Sequence, residues 1–259
     1  MDKVSVLMTV YNAEKMLHES IPPVLSQTYT NIEIVIVNDG STDKSADIID
    51  AYKRMDKRIE FINRKENKGR VYSLNEALSY CTGKYIAIND ADDISKKSRI
   101  EEMISFAYKE KIEESFGVIG SRYILDDRVV DKKEEIVIKT GRLDKRVARM
   151  RIFFGMPFIH SSFIYSKKAL LDVGGFASEV TSSIDYFTLL KISEKYPIYA
   201  YQNVTVTRVE NGNNFFMQPA ITLQNQYNKQ IIDGWKREHY KNYLLLYILK
   251  SMKDKIIKH

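Results

Sequence analysis

The first ninety residues alternate between short apolar segments and longer amphipathic ones, which restricts the possible folds more than any other feature of the chain. Apolar, β-branched segments are typical of buried strands, and amphipathic segments are typical of surface helices. Their alternation predicts an α/β fold with a mainly parallel sheet, flanking helices and right-handed crossovers. We expect strands at Val4–Val10, Ile32–Val37, Ile59–Ile62 and Tyr85–Ile88, and helices at about Ala13–Gln27, Ser45–Arg54 and Val71–Tyr80.

The pattern is less regular beyond residue 95, where it predicts further strands and helices and then a helical tail. Strands are expected at Phe116–Leu125, Glu135–Lys139, Ser162–Tyr165 and Ile198–Val209, and helices from beyond Ser95 to about Lys111 and at Asp144–Phe154, Lys167–Val173, Ile184–Lys195 and the last forty residues.

Local signals predict where some helices end. Pro22-Pro23 should break or kink the first helix at about Ile21, because proline removes a backbone donor and clashes with the preceding turn. Ser41 or Thr42 should cap the second helix. Gly174-Gly175 should end the helix that begins at residue 167.

Composition excludes several classes of protein. The chain has 259 residues and one cysteine, Cys81, so an intrachain disulfide is excluded, a zinc cluster is not expected, and a reducing compartment fits. The start shows no signal-peptide pattern. The longest apolar run, Tyr243–Leu249, is far shorter than the roughly 20 residues of a spanning helix.

The positive charge is concentrated near the C-terminus. Residues 229–259 hold eight Lys/Arg and three Asp/Glu, which accounts for +5 of the net charge of +6. The rest of the chain is therefore near neutral, and a nucleic-acid-binding face is not expected. The tail also carries apolar and aromatic residues. It could lie on an anionic bilayer, or pack on the catalytic domain or on a second subunit.

Polar residues follow the predicted strands at the end where parallel sheets bind ligands. Asp39 follows the second strand, where it could bind a nucleoside or simply belong to a turn. Asp90, Asp92 and Asp93 follow the fourth strand. Such closely spaced carboxylates suit Mg²⁺ or Mn²⁺ bound to a diphosphate, but a solvated acidic loop would look the same.

Two common phosphate-binding loops are absent from the sequence. The first strand is followed by Tyr11-Asn12-Ala13-Glu14, which lacks the glycines of a dinucleotide-binding turn. No P-loop motif occurs either. A bound phosphate would therefore depend on a metal ion, which directs attention back to the aspartates.

Four segments of the chain form a recognisable series: Val4–Asn12, Ile34–Asp43, Asn67–Arg70 with Ser73–Asn75, and Gly83–Asp93. In their order and spacing they resemble the family 2 glycosyltransferases, which are inverting enzymes with the GT-A fold, a Rossmann-like α/β fold. The resemblance is close over residues 1 to about 100 and weaker to about 210, and it extends to bacterial surface-polysaccharide enzymes.

The resemblance implies roles for residues of the first half. Asp90 and Asp92 form the D-x-D element, Asp92 being the expected direct ligand of Mn²⁺ or Mg²⁺. Gly69 lets the backbone approach the nucleotide, and Arg70 lies near the donor phosphates. The remaining substrate-binding residues that it implies are Thr9, Tyr11 and Asp39 at the base and ribose, together with Asn12, Asn75 and Ala91.

For the second half, the resemblance implies an acceptor site. Asp185 corresponds to the catalytic base, although Ile184 stands where the family commonly has Glu. Asp185 could instead be a first-turn residue favoured by the helix dipole. His160 and Arg208 are the other implied substrate-binding residues, and Lys97 departs from a frequent proline.

The implied organisation is a GT-A catalytic domain at residues 1–215, with a nucleotide-sugar-binding half (1–110) and an acceptor half (111–215), and a basic amphipathic helical extension at 216–259. The implied reaction moves a sugar, with inversion, from a nucleotide-diphosphate sugar (UDP-sugar favoured) to a hydroxyl of a saccharide or lipid-linked acceptor. A cytoplasmic protein is expected, which the tail could hold at the inner face of the plasma membrane. The alternatives are a non-catalytic sugar-nucleotide or polysaccharide-binding protein and a sugar nucleotidyltransferase.

Overall fold

The computed structural model describes residues 1–128, 132–136, 142–143, 158–180 and 183–210. The helix expected at Asp144–Phe154, residues 137–139 of the expected strand at Glu135–Lys139 and the tail at 216–259 lie outside these residues. Within them, no helix is long and apolar enough to cross a bilayer.

The first third folds as predicted, into four parallel strands joined by helices. The strands lie in the order β3-β2-β1-β4, so β1 is in the middle with β2 on one side and β4 on the other. The strands are β1 (Val4–Val10), β2 (Ile32–Asp39), β3 (Ile59–Arg64) and β4 (Tyr85–Ile88), and the helices are α1 (Leu17–Leu25), α2 (Ser45–Met55) and α3 (Arg70–Tyr80).

The second half extends the sheet beyond β4 with strands of both directions. The order continues β4-β9-β6-β10-β5, with β7 paired to β6 and β8 to β10. Of these pairs only β6 with β10 is parallel, so the sheet is mixed and the predicted α/β fold is confirmed. The elements are β5 (Asp93–Ser95), α4 (Arg99–Lys109), β6 (Val118–Asp127), β7 (Lys132–Ile136), β8 (Arg142–Leu143), a 3₁₀ turn (His160–Ser162), β9 (Phe163–Ser166), α5 (Lys167–Asp172), α6 (Ile184–Ser193) and β10 (Ile198–Glu210).

Helices cover both faces of the sheet, which explains why its strands are apolar on both sides. On β2, Ile34 and Ile36 belong to the core cluster that includes residues of α1 and α4, whereas Val35 and Val37 belong to the cluster that includes residues of α3 and α6. All four side chains are buried. Each stabilises the fold by about 1.5–3 kcal/mol through its removal from water.

Two local predictions are wrong, the break of α1 at Ile21 and the hydroxyl cap on α2, while a kink at Ile21 stays a prediction. Helix α1 is not broken at Ile21 but continues through Pro22-Pro23 to Leu25. The carbonyls that lose their helical donors belong to His18 and Glu19, which are exposed, so water can bind them.

The expected hydroxyl cap on α2 is also absent. The helix begins at Ser45, and its N-cap residue, Lys44, makes no side-chain cap hydrogen bond, whereas the N–H of Ser45 donates to Asp43 Oδ1 at 2.9 Å. Ser41 instead accepts a hydrogen bond from the backbone of Asn12, because the loops after β1 and β2 bind each other.

Candidate functional site

The carboxyl ends of β2, β1 and β4 lie side by side and bring the predicted site residues to one edge of the sheet. Val10, at the end of β1, pairs in register with Asn38, the residue before Asp39. Leu7 of β1 pairs in register with Ile88 of β4, which lies two residues before Asp90. The predicted nucleoside and metal residues therefore flank β1 on its two sides.

The loops after β1 and β2 are tied together by hydrogen bonds. The N–H of Asn12 donates to Ser41 Oγ at 2.9 Å, and the N–H of Thr42 donates to Asn12 Oδ1 at 2.8 Å. The N–H of Glu14 donates to Asp43 Oδ2 at 3.0 Å. Asn12 adopts a left-handed conformation, with φ of 50°, to make these bonds. Contact between Asn12 and a substrate stays a prediction.

Asp39 is buried in a network that the sequence does not reveal. Its Oδ1 accepts from the N–H of Lys68 at 2.8 Å and lies 3.3 Å from Arg64 Nη1. Gly40 follows with φ of +68°, and a Cβ there would lie 2.5 Å from the carbonyl carbon of Glu66. Arg64 was missed because a basic residue at the end of a strand is not by itself a signal.

Thr9 and Tyr11 lie at the end of the central strand and just beyond it. Thr9 is half-buried in β1 beside Val37, whereas the ring of Tyr11 is 52% exposed. An exposed aromatic ring beside a buried carboxylate can stack on a flat base while the carboxylate accepts its N–H. The position of both residues is consistent with their predicted roles.

On the other side of β1, Arg70 joins two of the predicted residues. Its Nη2 lies 2.5 Å from Asp90 Oδ1 and 3.1 Å from His160 Nδ1. His160 is 5% exposed, with its ring edge-on to Phe163, Tyr165 and Phe176. Burial lowers the pKa of His160 to about 4, so at neutral pH the ring is uncharged and its Nδ1 can accept from Arg70.

The three aspartates differ in their electrostatic surroundings. Burial disfavours ionisation of Asp90, but the charge of Arg70 outweighs it and holds the pKa of Asp90 below its usual range. Burial and the charge of Asp90 raise the pKa of Asp92. Burial and the charge of Asp92 raise the pKa of Asp93 well above its usual range. Nearby positive charge thus compensates the negative charge of Asp90 more fully than that of Asp92.

Ser161 holds the loop that carries these aspartates. Its hydroxyl accepts from the N–H of Asp90 at 2.9 Å and is hydrogen-bonded to the carboxyl group of Asp93. Asp93 belongs to strand β5, which was not predicted, and lies opposite Arg208 of β10. Arg208 is 2.7 Å from Glu210, and its charge lowers the pKa of Asp90.

Arg99 supports the same loop from beneath. It is 1% exposed and donates from Nη1 to Ser95 Oγ at 3.1 Å and from Nη2 to the carbonyl of Phe163 at 2.9 Å. Ser95 in turn donates to Asn89 Oδ1 at 2.6 Å. Ser161 and Arg99 were missed because their partners lie far away in the sequence.

Asp185 lies in the first turn of α6, as the second residue after the N-cap residue Ser183, whose φ is 53°. Its carboxylate accepts from the N–H of Tyr186 at 2.9 Å. It interacts electrostatically with Arg70 and His160, so the predicted base belongs to the same cluster as Asp90. Its catalytic role stays a prediction.

Asn75 joins α3 to the segment before α6. Its Oδ1 accepts from the N–H of Phe176 at 2.9 Å, and its Nδ2 donates to the carbonyl of Phe176 at 3.0 Å. Gly175 allows this close approach, since a Cβ there would lie 2.5 Å from Asn75 Oδ1. The amide of Asn75 is therefore engaged by the protein backbone, and contact with a substrate stays a prediction.

Gly69 and Ala91 complete the predicted set. Gly69 has φ of +88° and precedes α3, and nothing lies within 4 Å of the position of a Cβ. Ala91 packs against the core beneath the aspartates. Among the described residues, no group of three or more His, Cys, Asp or Glu side chains is arranged to hold a metal ion by itself.

Comparison with known sequences matches residues 5–174, more than half of the chain, to the model of the family described as Glycosyl transferase family 2. The chain belongs to glycosyltransferase family 2. Relatives include the putative glycosyltransferase EpsE of Bacillus subtilis, 35% identical over 68% of this chain and 60% of EpsE. An uncharacterized glycosyltransferase of Methanocaldococcus jannaschii is 32% identical over 93% of this chain and 81% of the relative. An uncharacterized glycosyltransferase of Haemophilus influenzae is 40% identical over 48% of this family 2 chain, and the match covers only 42% of that relative.

Solved structures confirm the GT-A fold of this family 2 member. The structure of S. aureus TarS in complex with UDP-GlcNAc matches 89% of this chain and 65% of that one, with a TM-score of 0.72 and 19% identity. The mannosyltransferase PcManGT of Pyrobaculum calidifontis in complex with GDP-Man and Mn²⁺ matches 91% of this chain and 64% of that one, with a TM-score of 0.62 and 20% identity.

Proposed function

We propose that this family 2 chain is an inverting glycosyltransferase that moves a sugar from a nucleotide-diphosphate sugar to a hydroxyl of a saccharide or lipid-linked acceptor in cell-surface glycan synthesis. The donor is preferably a UDP-sugar, as in the complex of TarS with UDP-GlcNAc. One relative, WfaP of Escherichia coli, 38% identical over half of each chain, is named as a UDP-Glc-dependent glucosyltransferase acting on a diphosphoundecaprenol-linked sugar. A surface-glycan acceptor fits this likeness.

The observation that supports this proposal most strongly is the cluster of Asp90, Arg70, His160 and Asp185. It brings a carboxylate that can take a proton, a cation that can face a diphosphate, and the D-x-D aspartate to one place. The residues come from α3, the loop after β4, the 3₁₀ turn and α6. A merely structural ion pair would not require elements from four parts of the fold.

The charges around Asp92 fit a divalent cation. The raised pKa of Asp92 reflects a half-buried carboxylate beside another negative charge, and Arg70 compensates Asp90 rather than Asp92. Carboxylate oxygen is a ligand that Mg²⁺ and Mn²⁺ accept, with the remaining positions filled by water and phosphate oxygens. One direct protein ligand, Asp92, with Asp90 nearby, is sufficient when the donor diphosphate supplies the others. The bound cation would neutralise charge on the leaving nucleoside diphosphate.

Asp185 performs the proton transfer in the proposed reaction. Its carboxylate takes the proton of the acceptor hydroxyl while that oxygen forms a bond to the anomeric carbon. The bond from the anomeric carbon to the diphosphate oxygen breaks on the opposite side, and its electrons leave with the nucleoside diphosphate. The configuration of the sugar inverts. Asp39, Thr9 and Tyr11 hold the nucleoside, and Arg70 faces the diphosphate.

Donor binding and donor hydrolysis by the full chain test this proposal. UDP-, GDP- and dTDP-sugars are screened by thermal shift with Mn²⁺ or Mg²⁺, and hydrolysis of the best donor is then measured. We expect one donor to raise the melting temperature, and Asp92→Asn to abolish both the shift and hydrolysis.

Asp126→Asn is the matched control, since Asp126 lies at the far end of β6 beside Arg128. It should behave like the unchanged chain. Donor binding without any turnover would support a non-catalytic sugar-nucleotide-binding protein instead. No binding of any nucleotide sugar would contradict the proposal as a whole.

A further inference from the structure

A cleft that shares Gly69, Arg70 and Asn75 with the predicted site runs along the exposed face of α3. Its volume is about 690 Å³, within the range of small-molecule sites. One wall is the helix face opposite the buried Leu74 and Leu78. The residues that face each other across the cleft are Tyr72, Asn75, Glu76 and Ser79 of α3, and Ser178 and Val180 of the segment before α6.

The cleft is continuous with the candidate active site at one end. Gly69 and Arg70 line it there, and Arg70 is the residue that contacts Asp90. Its second wall leads into α6, because Val180 packs against Ala177 and Phe187 near the first turn of that helix. A ligand in the cleft would therefore have one end near Arg70, which interacts electrostatically with Asp185, and near Lys68, whose N–H donates to Asp39.

The two walls are held at a fixed separation. The paired hydrogen bonds between Asn75 and the backbone of Phe176 tie the segment before α6 to the middle of α3. Gly175 makes the close contact possible. The cleft is thus built from two parts of the chain that are joined at its floor, rather than from a loop lying loosely on a helix.

The lining has the chemistry that recognises a sugar ring. Tyr72 is 48% exposed, and an aromatic face packs against the C–H groups of a pyranose. Ser79 and Ser178 offer hydroxyl groups for sugar hydroxyls, and Val180 adds an apolar contact. Glu76, whose Oε2 lies 3.0 Å from Arg64 Nε, offers its other carboxylate oxygen.

Two cations flank the tyrosine ring. The guanidinium carbon of Arg64 lies 4.9 Å from the ring centre of Tyr72 and orients the ring from the Asp39 side. Lys68 Nζ lies at the same distance, but its side chain is exposed, so it can withdraw when a ligand enters.

We propose that this cleft is an acceptor subsite, which binds a saccharide ring on Tyr72 and directs its reacting hydroxyl toward Arg70 and Asp185. This inference rests on the proposed glycosyltransferase function, because the sugar bound here would be the one that receives the transferred group. Tyr72, Glu76, Ser79 and Ser178 are then specificity residues for the acceptor rather than the donor.

Saturation-transfer-difference NMR on the full chain tests the subsite, with millimolar methyl glycosides of glucose, galactose and N-acetylglucosamine as probes. We expect the C–H protons of at least one glycoside to receive saturation from the unchanged chain. Tyr72→Ala should abolish this signal, whereas Tyr72→Phe, which keeps the ring, should retain it.

Tyr80→Ala is the matched control, because Tyr80 is on the same helix and also 48% exposed but does not line the cleft. It should leave the signal intact. An equal signal in Tyr72→Ala, or no signal from any glycoside, would overturn the subsite. Donor binding by the unchanged chain is measured separately, so a failure of the subsite is distinguishable from a failure of the proposed function.

Discussion

The guanidinium of Arg70 is bonded to the carboxylate of Asp90, at 2.5 Å, in the middle of the candidate active site. The pair divides the acidic cluster into a compensated aspartate and a less compensated one, Asp92. It also places a positive charge where a donor diphosphate would end.

Replacing Arg70 with Met should weaken donor binding. Asp90 would lose its partner and repel both Asp92 and the diphosphate, and loss of a charge-assisted hydrogen bond costs about 1.5–3 kcal/mol. Donor affinity should therefore fall roughly 10- to 150-fold, measured by calorimetry with Mn²⁺. Arg54→Met is the control, because Arg54 makes only an exposed pair with Asp50 on α2. Unchanged affinity in Arg70→Met would show that Arg70 does not face the donor.

Replacing Asp185 with Asn should abolish transfer while leaving donor binding intact. The amide keeps the shape of the carboxylate but cannot take a proton, and general base catalysis contributes about 10²- to 10⁴-fold to a rate. The fall should appear in kcat, with little change in the donor KM.

Asp47 provides a matched control for Asp185. It also lies in the first turn of a helix, α2, and is exposed, but far from the cluster. If Asp185 merely favours the helix dipole, Asp47→Asn and Asp185→Asn should have similar small effects. A transfer rate in Asp185→Asn equal to that of the unchanged chain would refute its role as the base.

Adjacent glycines before α6 should differ in their tolerance of a methyl group. Both have positive φ, 85° at Gly174 and 83° at Gly175, so alanine is strained at either position by about 1–2 kcal/mol. At Gly175 the Cβ would also meet Asn75 Oδ1 at 2.5 Å, whereas at Gly174 it meets nothing within 4 Å. Denaturant unfolding should thus show a larger loss for Gly175→Ala. Equal losses would mean that the bond between Asn75 and Phe176 adds no stability.

Glu33 should make stability depend on pH in acid. Burial disfavours its charge, but hydrogen bonds led by Lys3 and including Ser5 and Thr82 outweigh burial and lower its pKa from 4.5 to about 2. The unfolded chain therefore binds the proton more tightly, so the stabilisation is complete above about pH 4.5 and is lost as pH falls toward 2. A shift of this size corresponds to about 3 kcal/mol.

Unfolding of Glu33→Gln measures this contribution. The variant should be less stable than the unchanged chain at pH 7, and the gap should narrow as the pH is lowered to 3. Glu60→Gln serves as the control, since Glu60 is exposed on β3. Parallel curves for Glu33→Gln and the unchanged chain would rule out this source of acid sensitivity.

The sequence predicted those parts of the fold that depend on local pattern. Strands β1, β2 and β4 are buried and largely apolar on both faces, so their composition alone marks them. Strand β5 was missed, because three residues beginning with a buried aspartate carry no strand pattern, and its partner Arg208 lies more than a hundred residues away. The path of α1 through Pro22-Pro23 was also missed, since it depends on which carbonyls face water.

The site shows the same division. Asp39, Asp90 and Asp185 were named from motifs and their positions, and the structure places Asp90 and Asp185 near Arg70. Arg64 and Ser161 were not predicted as site residues, although they contact or hold those aspartates. Ser161 is 71 residues from Asp90, and no spacing rule connects the two. Contacts of this kind become visible only once the chain is folded.

The loops after β1 and β2 are bonded to one another through protein atoms alone, Asn12 to Ser41 and Thr42, and Glu14 to Asp43. Their conformational entropy is therefore lost when the chain folds and not when a nucleotide arrives. Nucleoside association should then be fast and have a small entropic penalty, as in a rigid receptor. Whatever slow, ordering motion accompanies turnover would have to occur elsewhere in the molecule.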